Sequence, residues 1–145
     1  MQPNKLLVLY LILSLSMIGL IAGCKDNGSE TTSPGPTPSY YDTKIQAIFT
    51  SNCTNQGCHP GRGAPFSLEI GSSYNNLVNV RVTNGSGSCS EAVYRVRPGS
   101  ADSSMLYKRI EGLCGLNQMP LGSAQLTSAD RDTIEVWINR GAPRN

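Results

Sequence analysis

Three segments of the chain place apolar residues three and four positions apart, the spacing that forms the buried face of an amphipathic helix. The first segment has Ile45, Ile48 and Phe49, the second has Leu106 and Ile110, and the third has Ile134, Trp137 and Ile138. We therefore predict a mainly α-helical domain whose first helix lies within residues 42–49.

The third helix also carries a signal at each end. Thr127 precedes Asp130 by three residues, as in a capping box that satisfies the first backbone N–H groups of a helix. Gly141 lies where the apolar stripe stops, and glycine is the residue that most readily ends a helix. These signals predict a helix that begins just after Thr127 and ends before Gly141.

Between the first two predicted helices the periodicity changes to strict alternation. Val78, Val80 and Val82 alternate with polar residues, and an Asn-Gly-Ser-Gly turn follows at residues 84–87. Apolar residues alternate again through Ala92, Tyr94 and Val96. The pattern predicts a small hairpin or paired extended segment near residues 77–97, with Cys89 in its loop.

The N-terminus carries one long apolar run. Lys5 precedes an uncharged apolar segment, residues 6–22, whose length and leading cation are typical of a secretory signal peptide. By itself the run also has the character of a short membrane anchor. Its ending, Ile-Ala-Gly-Cys at residues 21–24, resembles the lipobox of bacterial lipoproteins. That resemblance implies a signal peptide over residues 1–23 and a lipidated Cys24 at the start of the mature protein.

The residues after Cys24 are nearly free of apolar side chains and rich in Ser, Thr, Gly and Pro. Such a composition buries too little surface to offset the entropy of ordering, so residues 24–39 are predicted to be a lipidated, flexible tether. The folded domain is then residues 40–145. No acidic residue directly follows Cys24, which favours the outer membrane or the cell surface over the periplasmic face of the inner membrane.

Composition sets the class of the protein and limits its partners. The chain has 145 residues, of which 39% are hydrophobic and 15% charged, with a formal net charge of +2. These values fit one modest domain that is stable in water, together with the N-terminal extension. A net charge this small gives no reason to expect a nucleic-acid partner.

The most informative chemistry lies directly after the first predicted helix. Cys53 and Cys58 are separated by four residues, and His59 follows Cys58 at once. Two thiols and an adjacent imidazole are what covalent attachment of haem c requires, with two thioethers to the porphyrin and histidine as axial ligand of the iron. The usual spacing between the cysteines is two residues, so Thr54, Asn55 and Gly57 are expected to bulge between the attachment points.

Five cysteines are present, and lipid and haem account for three of them. The remaining pair, Cys89 and Cys114, is expected to form a disulfide in an exported protein. Two alternatives remain open for the cysteines. One is a zinc site with His59, although a second close Cys or His pair is missing. The other is a structural domain with two disulfides and no haem.

His59 is the only histidine of the chain, so a second imidazole from this protein cannot bind the iron. Met119 precedes Pro120 in a turn-rich stretch, and an irregular loop there can bring the thioether over a haem face. We expect Met119 as the distal ligand. Met105, which is expected to fill the core, and an iron with five ligands are the alternatives.

Taken together, these segments resemble class I cytochrome c. The resemblance rests on the first helix, the Cys53–His59 motif, the Arg-Val-Arg-Pro-Gly of residues 95–99, the Met-Pro-Leu-Gly of residues 119–122, and the C-terminal Trp-Ile with Gly-Ala-Pro. More narrowly, these segments resemble a branch of exported bacterial monohaem domains that share the long cysteine spacing and the terminal Trp-Ile and Gly-Ala motif. The resemblance implies a helical fold in which the first and last helices cross beside one covalent haem, between His59 and Met119.

The expected function is that of an electron carrier rather than an enzyme. Imidazole and thioether occupy both axial positions and leave no open site for a substrate, so the protein would pass single electrons between redox proteins. The expected location is the bacterial cell envelope, with membrane attachment through the lipid. Two rivals remain: a haem enzyme or a sensor of peroxide or gases with a displaceable distal ligand, and a haem-free, disulfide-stapled surface module for binding.

Three expectations concern the surroundings of the haem. The His59 ring N–H should donate to a backbone carbonyl, within Pro60 to Pro65. The indole N–H of Trp137 needs a partner if it is buried, and a haem propionate is one candidate. Some of the basic residues in the middle of the domain could pair with propionates or steer an acidic partner, or simply be solvated; they are Arg81, Arg95, Arg97, Lys108 and Arg109.

Overall fold

The regular structure of the domain is helical. The computed structural model describes residues 37–54, 58–59, 65–83 and 88–145. A π-helical turn, Tyr41–Ile45, continues directly into helix α1, Gln46–Asn52, and three further helices follow: α2 (Ser73–Leu77), α3 (Met105–Glu111) and α4 (Ser128–Asn139). The described ranges contain no β-strand. The prediction of a mainly α-helical domain is therefore confirmed.

Some predictions concern residues outside this description. The predicted signal peptide, Cys24 and all of the tether except Thr37, Pro38 and Ser39 fall there. Among the helices that are described, none has both the length and the apolar character needed to cross a bilayer.

The first predicted helix forms, and it begins slightly earlier than the apolar pattern indicates. The hydroxyl of Ser39 accepts a hydrogen bond from the backbone N–H of Asp42 at 3.1 Å and donates to its carboxylate at 2.8 Å. The apolar face, which includes Ile45 and Phe49, is fully buried. Burial of this stripe fixes the direction in which the chain reaches Cys53.

Both predicted ends of α4 are confirmed. The Thr127 hydroxyl accepts from the Asp130 backbone N–H at 3.1 Å and lies 2.8 Å from the Asp130 carboxylate. Gly141 follows the helix with φ of +95°, a conformation that costs glycine little because it has no Cβ. The predicted stripe of Ile134, Trp137 and Ile138 is buried to 1% exposure or less.

The main core joins the N-terminal helical segment to α4. The Tyr41 ring lies 5.4 Å from the Trp137 ring and 5.1 Å from the Tyr74 ring, which it meets edge to face. The side chains buried around them are mostly aliphatic and come from all parts of the domain: Ile45, Phe49, Leu68, Leu77, Val96, Ile110, Leu126, Ile134 and Ile138. Helix α4 also contacts α3.

Of the two forms predicted for residues 77–97, a small hairpin or a paired extended segment, the described residues show a loosely paired extended segment. Backbone hydrogen bonds join Val82 to Val93 at 2.9 Å and Arg95 to Val80 at 2.7 Å, but the ladder is limited to isolated bridges. Asn79 adopts φ of +59°, which interrupts an extended chain after Val78 and prevents a continuous strand. The predicted turn at residues 84–87 lies outside the description.

A second, smaller core surrounds the disulfide. Cys89 and Cys114 are joined, with their Cα atoms 5.4 Å apart, as the count of cysteines predicts. Cys89, Ala92 and Met105 form the buried centre of this cluster. Met105 is 8% exposed and packs beside the disulfide, so it fills the core as expected.

Candidate functional site

Helix α1 delivers Cys53 to the site. Its backbone N–H donates to Phe49 O at 2.8 Å, which makes Cys53 the residue that closes the helix. The side chain is half-buried and packs against the main core. Burial raises the pKa of the Cys53 thiol to about 11, and the neighbouring Cys58 adds to the rise. Cys53 is therefore a protonated thiol at neutral pH.

Cys58 is also half-buried, and both cysteines are free thiols rather than a disulfide. The structure thus leaves the two sulfurs of the motif unpaired while it pairs Cys89 with Cys114. Of the residues expected to bulge between the two thiols, Asn55 and Gly57 lie outside the described ranges.

The segment after the motif holds His59 at two points. Nδ1 of the imidazole lies 3.2 Å from Phe66 O, and the His59 carbonyl accepts from the Leu68 backbone N–H at 2.8 Å. A carbonyl only accepts, so Nδ1 is the protonated nitrogen and Nε2 of the neutral ring keeps its lone pair. The acceptor is Phe66, one residue beyond the predicted stretch of Pro60 to Pro65.

An aromatic ring and a cation are stacked next to the imidazole. The Phe66 ring centroid is 5.0 Å from that of His59, and Cζ of Arg95 lies 3.8 Å from the Phe66 centroid. Arg95 Nη1 donates to Asn76 O at 2.7 Å. Burial lowers the pKa of the guanidinium. In the described part of the chain the ion pairs are Lys108 with Glu91 and Arg131 with Glu111, so Arg95 has no carboxylate partner there.

Met119 lies in the irregular loop between α3 and α4, as predicted. Its backbone N–H donates to Arg109 O at 2.9 Å, and the amide of the preceding Gln118 donates to Ile110 O at 2.9 Å. The peptide bond to Pro120 is cis. The Met119 side chain is half-buried and belongs to neither apolar core. The described hydrogen bonds and packing contacts tie Met119 to α3, and none of them joins it to His59.

Two other groups of residues are weaker candidates for a functional site. Cys89, Glu91 and Cys114 lie close enough together to suggest a metal site, but the two sulfurs are joined and so are not thiolate ligands. Trp137 is 1% exposed, and its indole N–H donates to Pro143 O at 2.9 Å. A backbone carbonyl, rather than the haem propionate considered for it, therefore satisfies the indole.

A shallow groove of about 240 Å³ lies beside α4, and none of Cys53, Cys58, His59 and Met119 lines it. Its lining comes from the start of the N-terminal helical segment, from α4 and from the residues after α4: Tyr40, Val136, Trp137, Arg140, Pro143 and Asn145.

Comparison of the chain with models of protein families, with curated proteins and with solved structures gives no match.

Proposed function

We propose that this protein is a monohaem c-type cytochrome, anchored by lipid in the cell envelope, that carries single electrons between redox proteins. The observation that supports it best is the state of the motif: two free, half-buried thiols beside an imidazole whose Nδ1 is already engaged by Phe66 O. A haem ligand is needed at Nε2, and that nitrogen keeps its lone pair in this arrangement.

The donor set fits haem c. Cys53 and Cys58 would hold it through two thioethers, and Nε2 of His59 would ligate the iron from one side. Covalently bound haem supplies an iron centre that changes its charge by one electron. The chain contributes an imidazole held by Phe66 O, the apolar ring of Phe66 beside it, and the positive charge of Arg95.

Met119 is the proposed distal ligand. It is the one methionine of the described residues that both lies in a loop and stays outside the two apolar cores, whereas Met105 is packed against the disulfide. A thioether at this position would leave the iron without an open site. That is why we propose electron transfer rather than catalysis on a bound substrate.

The proposal is tested on protein expressed in cells able to make c-type cytochromes. Mass spectrometry and the pyridine haemochrome spectrum of the mature protein should report one covalent haem. The oxidised protein should show a low-spin spectrum with the weak far-red band of methionine-ligated iron. Met119→Ala should abolish that band, whereas Met105→Ala should keep it and reduce stability.

Three outcomes would count against the proposal. A mass without haem would leave the haem-free binding module. A high-spin ferric spectrum unchanged by Met119→Ala would favour the enzyme or sensor. Haem retained in full by Cys53→Ser and Cys58→Ser together would show that the motif is not the attachment site.

The anchor rests on Cys24 and is tested separately. In cells expressing the full chain, Cys24→Ala should move the protein from the membrane fraction to the soluble fraction, because acyl chains supply the binding energy, about 0.8 kcal/mol per buried CH₂. Ser33→Ala in the tether is the matched control and should stay with membranes. Retention of the Cys24→Ala protein would contradict lipid anchoring.

A further inference from the structure

In the short segment from Phe66 to Leu68, four backbone polar groups form hydrogen bonds to other parts of the chain. Two of them hold His59: Phe66 O engages Nδ1, and Leu68 N–H donates to His59 O. The other two, Ser67 O and Leu68 O, are held by side chains from the helices on either side. The position of the imidazole therefore depends on what fixes this segment.

The two side chains that hold it are both primary amides. Gln46 Nε2, on α1, donates to Leu68 O at 3.0 Å. Asn76 Nδ2, on α2, donates to Ser67 O at 2.8 Å. The two amides thus attach adjacent carbonyls to two different helices. We call this arrangement the amide clamp.

The Gln46 half of the amide clamp is embedded in the core. Gln46 is 4% exposed, and its Oε1 accepts from the hydroxyl of Ser73, which also pairs with the Tyr41 hydroxyl at 2.7 Å. A buried amide that lost one of these partners would leave an unsatisfied polar atom, which costs about 1–3 kcal/mol. The Ser73 bond therefore contributes to stability through Oε1, whereas the bond that reaches the His59 segment is made by Nε2.

The Asn76 half is connected to the stacked cation. The Asn76 carbonyl accepts from Arg95 Nη1 at 2.7 Å, while its side chain holds Ser67. The Asn76→Ala variant removes the side-chain donor and keeps the backbone acceptor, so Arg95 retains its partner. The contribution of the amide clamp can therefore be separated from that of the cation.

We propose that Gln46 and Asn76 are positioning residues for His59, and that through the Phe66 carbonyl they set the electron donation of the imidazole to the iron. This inference rests on the proposed haem function. A firm hydrogen bond from Nδ1–H to a fixed carbonyl increases the basicity of Nε2 and so stabilises ferric iron. Loosening the amide clamp weakens that bond and raises the reduction potential.

The experiment compares Gln46→Met and Asn76→Ala with two matched controls. Ser73→Ala breaks the same buried network but leaves the donor to Leu68 O in place, and Asn75→Ala changes the exposed neighbour on α2. Both clamp variants should shift the one-electron equilibrium toward the ferrous form at least about threefold, or about 28 mV at 59 mV per decade. Ser73→Ala should lose stability without that shift, and Asn75→Ala should change neither quantity.

Amide hydrogen exchange supplies a second readout that does not depend on haem. Exchange of the Leu68 N–H, which donates to His59 O, should speed up in both clamp variants relative to both controls. If Gln46→Met does not fold, Asn76→Ala carries the test, because its side chain is only half-buried.

The two failures are distinguishable. If wild-type protein carries no haem, the proposed function is wrong, and the exchange of Leu68 still decides whether the amide clamp holds the His59 segment. If haem is bound and the potentials of Gln46→Met and Asn76→Ala match that of wild type, the positioning role is overturned. An equal shift in Ser73→Ala would also overturn it, since general loosening of the core would then explain the effect.

Discussion

At the scale of single residues, Arg95 supplies the positive charge of the candidate site. Its guanidinium is half-buried and lies over the ring of Phe66. Burying a guanidinium disfavours its charged form, and the lowered pKa of Arg95 has that cause. The stack on Phe66 and the bond to Asn76 O offset part of this cost. Arg95 therefore keeps a positive charge close to the proposed iron ligand.

That charge leads to a prediction about the reduction potential. A positive charge near the proposed haem iron would disfavour the ferric form, so Arg95→Gln should lower the potential, with a shift of up to about tenfold toward the ferric form, or about 59 mV. Arg97→Gln is the control, because Arg97 is exposed and has no stacking partner among the described contacts. Spectroelectrochemical titration measures both. A rise in the reduction potential of Arg95→Gln would contradict the prediction, because the loss of a positive charge favours the ferric form and so lowers the potential.

The thiol of Cys53 gives a second prediction at this scale. A pKa raised to about 11 means that little thiolate exists at pH 8, so Cys53 in haem-free protein should react with iodoacetamide about two orders of magnitude more slowly than an ordinary thiol. Its rate should keep rising with pH up to about 11. Labelling followed by peptide mass spectrometry measures the rate, and the same protein unfolded in urea is the control. Equal rates in the folded and unfolded protein would contradict the role of burial.

At the scale of elements, α4 begins at a side-chain cap formed by Thr127. Because the Thr127 hydroxyl satisfies an N–H of the first turn, Thr127→Ala should destabilise the domain by about 1 kcal/mol and lower the melting temperature by roughly 4 °C. Thr133→Ala is the matched control. The Thr133 hydroxyl bonds to Ala129 O within the helix, and alanine is the better helix former there. Thermal unfolding followed by circular dichroism measures both, and equal losses would contradict the capping role.

The helices also show what the sequence could predict. Apolar periodicity and end signals are local properties, which is why the helices around Phe49, Ile110 and Trp137 were predicted correctly. Helix α2 was missed because it is a single short stretch, Ser73–Leu77, with little apolar periodicity. The alternating valines indicated a strand, but the left-handed conformation of Asn79 depends on the surrounding fold and has no signal in the alternation.

The residues of the candidate site likewise fall into those that the sequence predicts and those that only the fold brings together. Cys53, Cys58 and His59 are recognisable because their chemistry is contiguous in the chain. Phe66 and Arg95 are 29 residues apart in sequence and meet only through tertiary packing, so no local pattern distinguishes Arg95 from the other basic residues of the domain. The amides of Gln46 and Asn76 could not be distinguished from ordinary polar residues until their acceptors were known.

At the scale of the whole molecule, the core couples folding to the ionisation of one tyrosine. Tyr41 is 2% exposed, and its ring packs against those of Trp137 and Tyr74. Burial raises the pKa of Tyr41 to about 12, from 10.0. Its hydroxyl pairs with that of Ser73. Because this residue joins the N-terminal helical segment to α4, any change at Tyr41 acts on the stability of the entire domain.

The sign of the pH dependence follows from these two pKa values. Below about pH 10, tyrosine is neutral in both the folded and the unfolded chain, and the contribution of Tyr41 to stability is complete. Between about pH 10 and 12 the unfolded chain loses the Tyr41 proton while the folded protein keeps it, so the free energy of unfolding should fall by up to about 1.4 kcal/mol per pH unit.

Urea unfolding of wild type and Tyr41→Phe at several pH values measures this slope. The variant should be less stable at pH 8, since it lacks the hydroxyl that pairs with Ser73, yet lose less stability above pH 10. Tyr40→Phe, at an exposed position, should retain the wild-type slope; identical slopes in wild type and Tyr41→Phe would show that the Tyr41 hydroxyl is not the group that couples folding to pH.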